Sequence, residues 1–278
     1  MENFKIVADS SSDVFSLDNV SFAAAPLKII TKEKEFVDNQ ELNLKEMVDY
    51  LLSYKGKSST SCPNPEDWLA AFGDSQNIFC ITITSNLSGS FNAALTAKEL
   101  YLEAHPDRKV FVIDSLSAGP ELKLIAEKLE ELILQNLSFE EICQQITEYT
   151  KSTALLFMLE SMQNLANNGR VSAITAKAAG LLGIRAVGKA SEVGTLEPLS
   201  KCRGEEKALN YIAEYLKNAG CKNGKVYIGH CFNQEGAIKL NEKILKLMPN
   251  VKTKIYPCGA LCSFYAEKGG LLIGFEKN

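Results

Sequence analysis

A near-continuous apolar run from residue 77 to 84, Asn-Ile-Phe-Cys-Ile-Thr-Ile-Thr, lies between two segments of helical character. A strand that is apolar on both faces has to be covered on both, and this is the habit of parallel sheets flanked by helices. The neighbouring sequence repeats that order. Residues 4–8 read as a short apolar strand, residues 22–30 as a second, and residues 31–37 as a short exposed hairpin arm. Leu44, Met47, Val48, Leu51 and Leu52 fall at helical spacing behind Asn43, a suitable N-cap. Asn64-Pro65-Glu66-Asp67 is a second helix start, with a proline at the first helical position and acids in the first turn. Helices are predicted over 89–104 and 121–135, with a strand over 109–114. Ser138-Phe139-Glu140-Glu141 forms a capping box that opens another helix. The βαβα order predicts an α/β unit built on a mostly parallel sheet.

From about residue 152 the pattern changes. A strand over 153–159 is followed by a helical stretch to Leu165. Runs at 184–190 and 193–199 flank Ser191-Glu192 and read as a hairpin. A helix over 205–217, a strand over 225–230, a helix over 235–247 and strands over 251–256 and 271–275 complete the list. Hairpins among helices predict a second, mixed or antiparallel α+β lobe. The 278 residues, 46% of them hydrophobic, are enough for two lobes, 1–150 and 151–278. No linker marks the division.

Formal net charge is −4, without a basic patch, so a nucleic-acid partner is not expected. No apolar run approaches the ~20 residues that span a bilayer. The N-terminus lacks a basic stretch followed by an apolar one, so no signal peptide is expected, and the reading is cytoplasmic. Eight scattered cysteines without a Cys-x-x-Cys pair fit a reducing compartment and small buried hydrophobes rather than a metal site.

Three hydroxyl-rich turns border apolar strands. Ser85-Asn86-Leu87-Ser88-Gly89-Ser90 joins a strand to a helix N-terminus, where unpaired N–H groups and hydroxyls make either a neutral anion cradle or a simple N-cap. Thr60-Ser61-Cys62-Pro63 is a rigid loop feeding a helix, and Asp9-Ser10-Ser11-Ser12-Asp13 a turn or cap. Ligands of open α/β sheets bind beyond the carboxyl ends of strands, so the three turns are expected to meet in one site. Enzyme signatures are mostly absent. No Gly-x-Gly-x-x-Gly follows a strand, and Leu87-Ser88-Gly89 lacks the nucleophile elbow. The enzymatic alternative is a hydrolase of a small acid or ester using Ser88, with His230, Asp9 or Asp114 as base. Asn167-Asn168-Gly169-Arg170 reads as a helix C-cap through Gly169.

Taken in order, six segments resemble motifs of the DegV family of bacterial fatty-acid-binding proteins. They are Lys5 to Asp13, Thr60-Ser61-Cys62-Pro63, Thr84 to Ser90, Val112-Ile113-Asp114-Ser115, Gly169-Arg170-Val171-Ser172 and Lys201-Cys202-Arg203-Gly204. The resemblance implies a Rossmann-like N-terminal lobe and an α/β C-terminal lobe, with one long-chain fatty acid buried between them and no cofactor. It implies carboxylate contacts from Thr60 and Ser88, with Ser61 and Gly89 beside them. It also implies presentation of the acid to a fatty acid kinase for phospholipid synthesis, the binding protein doing no chemistry itself. Arg170 and Arg203 then face that partner or, transiently, a membrane. One departure stands out. Where the family carries a His-Thr-Gly-Pro-Gly-type turn, this chain has Ser263-Phe264-Tyr265-Ala266-Glu267-Lys268. Tyr265 takes the histidine's place and brings a neutral hydroxyl instead of a titratable ring.

Overall fold

The computed structural model describes residues 3–172 and 183–277. Its first sheet is wholly parallel. Strands β1 (Phe4–Asp9), β2 (Ser21–Ala25), β6 (Asn77–Thr82) and β7 (Lys109–Asp114) lie in the order β2-β1-β6-β7. Every residue of β6 is buried, as its composition requires. Alternate residues serve opposite faces. Ile6, Ala8, Phe79 and Ile81 meet helices α4 (Pro120–Leu134) and α5 (Phe139–Lys151). Val7, Ile78 and Cys80 meet α2 (Pro65–Phe72) and α3 (Ser90–Ala104). The caps read from sequence are in place: Asn43 on α1 (Leu44–Ser53), and reciprocal capping boxes at Asn64 and Ser138.

Residues 22–30 do not form one strand. Pro26 has no N–H to donate to a ladder, and the Leu27 N–H turns to the Ser10 hydroxyl at 3.0 Å. The chain leaves the parallel sheet there. It forms a small antiparallel sheet from β3 (Lys28–Ile30), β4 (Glu35–Val37) and β5 (Ser59–Ser61). Thr60 and Ser61, read as loop, are therefore strand residues, with Thr60 opposite Ile29 and Ser61 opposite Lys28.

The second large sheet is mixed, in the order β10-β9-β8-β13-β11-β12. Its strands are β8 (Thr153–Leu159), β9 (Ile184–Ala190), β10 (Leu196–Arg203), β11 (Lys225–His230), β12 (Lys252–Pro257) and β13 (Leu271–Glu276). Only β11 and β12 run parallel. β10 starts later than the apolar pattern suggests. The Ser191 N–H donates to the Thr195 carbonyl at 2.8 Å, so the hairpin loop extends through Gly194. One face of this sheet packs on α7 (Glu205–Asn218) and α8 (Gln234–Leu247). Helix α4 joins the two sheets. It packs against β1 and β6 on one side and β8, β11 and β13 on the other. The Thr153 hydroxyl donates to Glu121 at 2.6 Å, and Lys225 pairs with Glu131 at 2.6 Å. No helix among the described residues is long and apolar enough to cross a membrane.

Candidate ligand-binding site

The hydroxyl-rich turns are organised by one buried acid. Asp9 ends β1 with no exposed surface. Its Oδ2 accepts from the Ile83 N–H at 2.8 Å and from the Ser90 hydroxyl at 2.6 Å, and its Oδ1 accepts from the Ser11 hydroxyl. Burial raises its pKa and these donors oppose the rise. The Asp-Ser motif thus acts behind the site: it ties the end of β1 to the turn that follows β6. On the far side of that turn, Asp114 Oδ1 accepts from the Ser85 and Leu116 N–H groups, both at 3.1 Å. Ser88 serves both readings of its turn. Its Oγ accepts from the Ser90 N–H at 3.3 Å, and its side chain lines a cavity. A methyl on Gly89 would come within 3.2 Å of Cys62 Sγ, so the Ser88 turn and the Thr60 segment are packed together.

Tyr265 arrives from a helix absent from the sequence reading, α9 (Ala260–Ala266). Its N-terminus is held by two buried acids from distant segments. Gly259 N–H donates to Asp13 Oδ1 at 2.8 Å, Ala260 N–H to Asp38 Oδ1 at 2.9 Å and Leu261 N–H to Asp38 Oδ2 at 3.1 Å. Burial, reinforced by the nearby charge of Asp38, raises Asp13 to about 7. Burial raises Asp38 to about 6 against the pull of the two N–H groups. At the other end of α9 the Tyr265 phenol oxygen lies 2.6 Å from Thr60 Oγ1. Burial raises the phenol's pKa, while Thr60 and the Arg170 charge oppose that, so it stands as a neutral hydrogen-bonding group.

Arg170 is positioned by a short helix, α6 (Gln163–Asn167). Gly169 follows it at φ +74°, and the Arg170 N–H reaches back to the Leu165 carbonyl at 2.8 Å, the C-cap geometry expected of this glycine. The guanidinium carbon lies 5.7 Å from the centre of the Tyr265 ring, and Nε donates to the Leu87 carbonyl at 3.2 Å. Arg170, read as partner-facing, is half-buried in the cavity wall. Asn164 and Asn168, which sequence reasoning passed over, lock this corner. Asn164 Nδ2 donates to the Phe264 carbonyl at 2.8 Å and Asn168 Nδ2 to the Ser58 carbonyl at 3.3 Å.

The remaining sequence candidates separate. Thr60, Ser88, Arg170 and Tyr265 line one cavity of about 90 Å³. Ser61, on the opposite face of β5 from Thr60, does not line it, and neither does the exposed Gly89. Arg203 is exposed at the end of β10. None of the three candidate bases is hydrogen-bonded to Ser88. Asp9 and Asp114 hold the backbone and hydroxyl groups described above, and His230 ends β11 outside the cavity lining. Beyond its polar end the wall is aliphatic and aromatic, with Leu27, Ile83, Leu155, Phe157, Leu196 and Leu272 contributed by both large sheets and the segments around them. Among the described residues no group of three or more His, Cys, Asp or Glu is placed to hold a metal ion. The arrangement is an apolar slot with three hydroxyls and a guanidinium gathered at one end.

The family model described as "Uncharacterised protein, DegV family" matches residues 3–278. The chain belongs to the DegV family. A DegV domain-containing protein of Streptococcus pneumoniae (strain ATCC BAA-255 / R6) is 46% identical over 277 residues, which is 98% of this chain and 99% of the relative. Two solved DegV structures share the fold at a TM-score of 0.97. One is a DegV family protein from Eubacterium eligens loaded with heptadecanoic acid, 43% identical over 99% of this chain and 100% of that one. The other is the Streptococcus pneumoniae Fatty Acid Kinase (Fak) B3 protein loaded with linoleic acid, 45% identical over the full length of both chains. The fold class read from the sequence, a parallel sheet followed by a mixed one, is that of these DegV structures.

Proposed function

We propose that this DegV protein binds one long-chain fatty acid, with its acyl chain in the apolar slot and its carboxylate at Thr60, Ser88 and Tyr265. The observation that carries this reading is the character of the cavity: hydroxyls and one guanidinium at a single end, hydrocarbon elsewhere. Each buried CH₂ contributes about 0.8 kcal/mol, so the chain supplies most of the affinity. The carboxylate loses its hydration on entry and needs several hydrogen bonds to offset that loss. The Ser88 hydroxyl, the one proton that the Thr60–Tyr265 pair leaves free and the nearby Arg170 charge supply them. Ser61 and Gly89 support this end from behind, through β5 and through the contact of Gly89 with Cys62. The fatty acids in the Eubacterium eligens and pneumococcal proteins support the ligand class.

The protein is read as a carrier, in which Asp9 and Asp114 spend their carboxylates on the N–H groups and hydroxyls that shape the Ser88 turn. The pneumococcal Fatty Acid Kinase (Fak) B3 relative supports presentation of the carboxylate to a kinase, and the compartment proposed for that step is the cytoplasm. Two lobes, 1–150 and 151–278, would clasp the ligand between them. The origin of the parallel sheet in residues 4–114 and of the mixed sheet in residues 153–276 supports that division.

Native mass spectrometry of the purified protein, before and after incubation with palmitate or oleate, tests the function. A mass increment equal to one fatty acid is expected. Absence of any acyl adduct after incubation would overturn the reading. Ser88→Ala should weaken binding about 10- to 100-fold, the range for one hydrogen bond to a charged group. Unchanged affinity would remove Ser88 from the carboxylate site.

A further inference from the structure

The wall of the slot has one position where a large side chain rests on an empty one. Alternate residues of β8, Leu155, Phe157 and Leu159, face the cavity. The neighbouring strand β9 places Gly188 directly opposite Phe157. A methyl on Gly188 would lie 2.3 Å from Phe157 Cζ and 2.6 Å from Cε2, so the edge of the ring fills the space that a side chain there would take. On the other side of Phe157, Leu272 of β13 is its direct partner and lines the same cavity. The ring is therefore bounded by a leucine on one flank and a notch on the other, and the open side in front of it is the slot. If the notch is filled, the ring has to move into the slot.

We propose that Phe157, seated in the Gly188 notch, sets the width of the slot and so selects among fatty acids by the shape of their chains. With the ring withdrawn into the notch, the slot admits chains bent by cis double bonds. With the ring displaced, it admits only straight saturated chains. This rests on the fatty-acid reading above and assigns its specificity to a named pair. Pockets of this kind discriminate one extra or missing methylene by about 10- to 200-fold. A displaced aromatic edge is a change of at least that size.

The experiment is competition binding of an equimolar mixture of palmitate and linoleate to the full-length protein, read by native mass spectrometry. Two variants shift the ratio in opposite directions. Gly188→Ala pushes the ring forward and should lower the linoleate-to-palmitate ratio by about tenfold. Phe157→Leu shortens the wall residue and should raise it by about tenfold. A methyl on Gly188 would also approach the Glu197 carbonyl oxygen to 2.6 Å. Phe157→Leu, a core change that keeps the strand intact, therefore decides the matter if Gly188→Ala does not fold. A Phe157→Leu ratio equal to that of the native protein overturns the proposal. Failure of the native protein to take either acid overturns the fatty-acid reading instead, so the two failures are distinct.

Discussion

Thr60 and Tyr265 stand 205 residues apart in the chain, yet their side-chain oxygens are 2.6 Å apart at the polar end of the cavity. Each holds the other in place, and because a hydroxyl carries one proton, the one that donates within the pair leaves the other's proton for a carboxylate. Tyr265→Phe removes one donor and leaves Thr60 without its partner. Fatty-acid affinity should fall about tenfold, as for loss of one such bond, in a fluorescence-displacement titration. Tyr265→His should restore binding and make it pH-dependent, tighter below about pH 6.5, where the ring is cationic. A pH-independent His variant would place the carboxylate elsewhere.

Arg170 separates two roles by measurement. If its guanidinium stabilises the carboxylate through the polar corner it shares with Tyr265, Arg170→Ala should weaken fatty-acid binding by about 10-fold or more. Arg170→Lys should recover only part of that, because an ammonium cannot both bond the Leu87 carbonyl and lie flat on a ring. A purely partner-facing arginine would leave fatty-acid affinity unchanged in calorimetry.

Asp9 supports the Ser85–Ser90 turn without lining the cavity. Asp9→Asn puts an amide donor among the Ile83 N–H and the Ser11 and Ser90 hydroxyls. At least one buried donor then loses its acceptor, at a cost of about 1–3 kcal/mol. Urea denaturation should show a lower midpoint with an unchanged slope. Ligand binding should weaken with it, because the Ser88 turn is no longer tied to β1.

The acids under α9 fix a pH dependence. Asp13 is raised to about 7 and Asp38 to about 6, both from an ordinary 3.8. Between about pH 4 and pH 7 the folded protein therefore holds more protons on them than the unfolded chain does, and stability from this pair falls as pH rises through that window. The melting temperature should drop from pH 5 to pH 8. Asp13→Asn keeps an acceptor for the Gly259 N–H and removes the buried charge, so it should flatten that drop by about two thirds and stabilise the protein at pH 8. A native profile that is level between pH 5 and pH 8 would contradict this.

What the sequence disclosed follows the range of the interactions involved. The buried strand β6 and the caps at Asn43, Asn64 and Ser138 were readable because each is written within a few neighbouring residues. Thr60 and Ser88 were readable as candidates from their turns. Helix α9 was not, because its seven residues depend on acceptors 222 to 246 positions away. The strand that carries Thr60 needs its pairing with β3, and the inward turn of Arg170 needs Leu87 and Tyr265. Local pattern names such residues but does not show where they point.

The long reach between Thr60 and Tyr265 also orders events in time. A chain leaving the ribosome N-terminus first exposes the Thr60 and Ser88 segments long before Tyr265 has been made. Until α9 and β13 have emerged and seated, the polar end of the slot lacks the phenol and Leu272 is missing from its wall. A chain that holds its fatty acid at this corner has therefore already seated α9 and β13, and bound ligand reports that segments from both large sheets have come together.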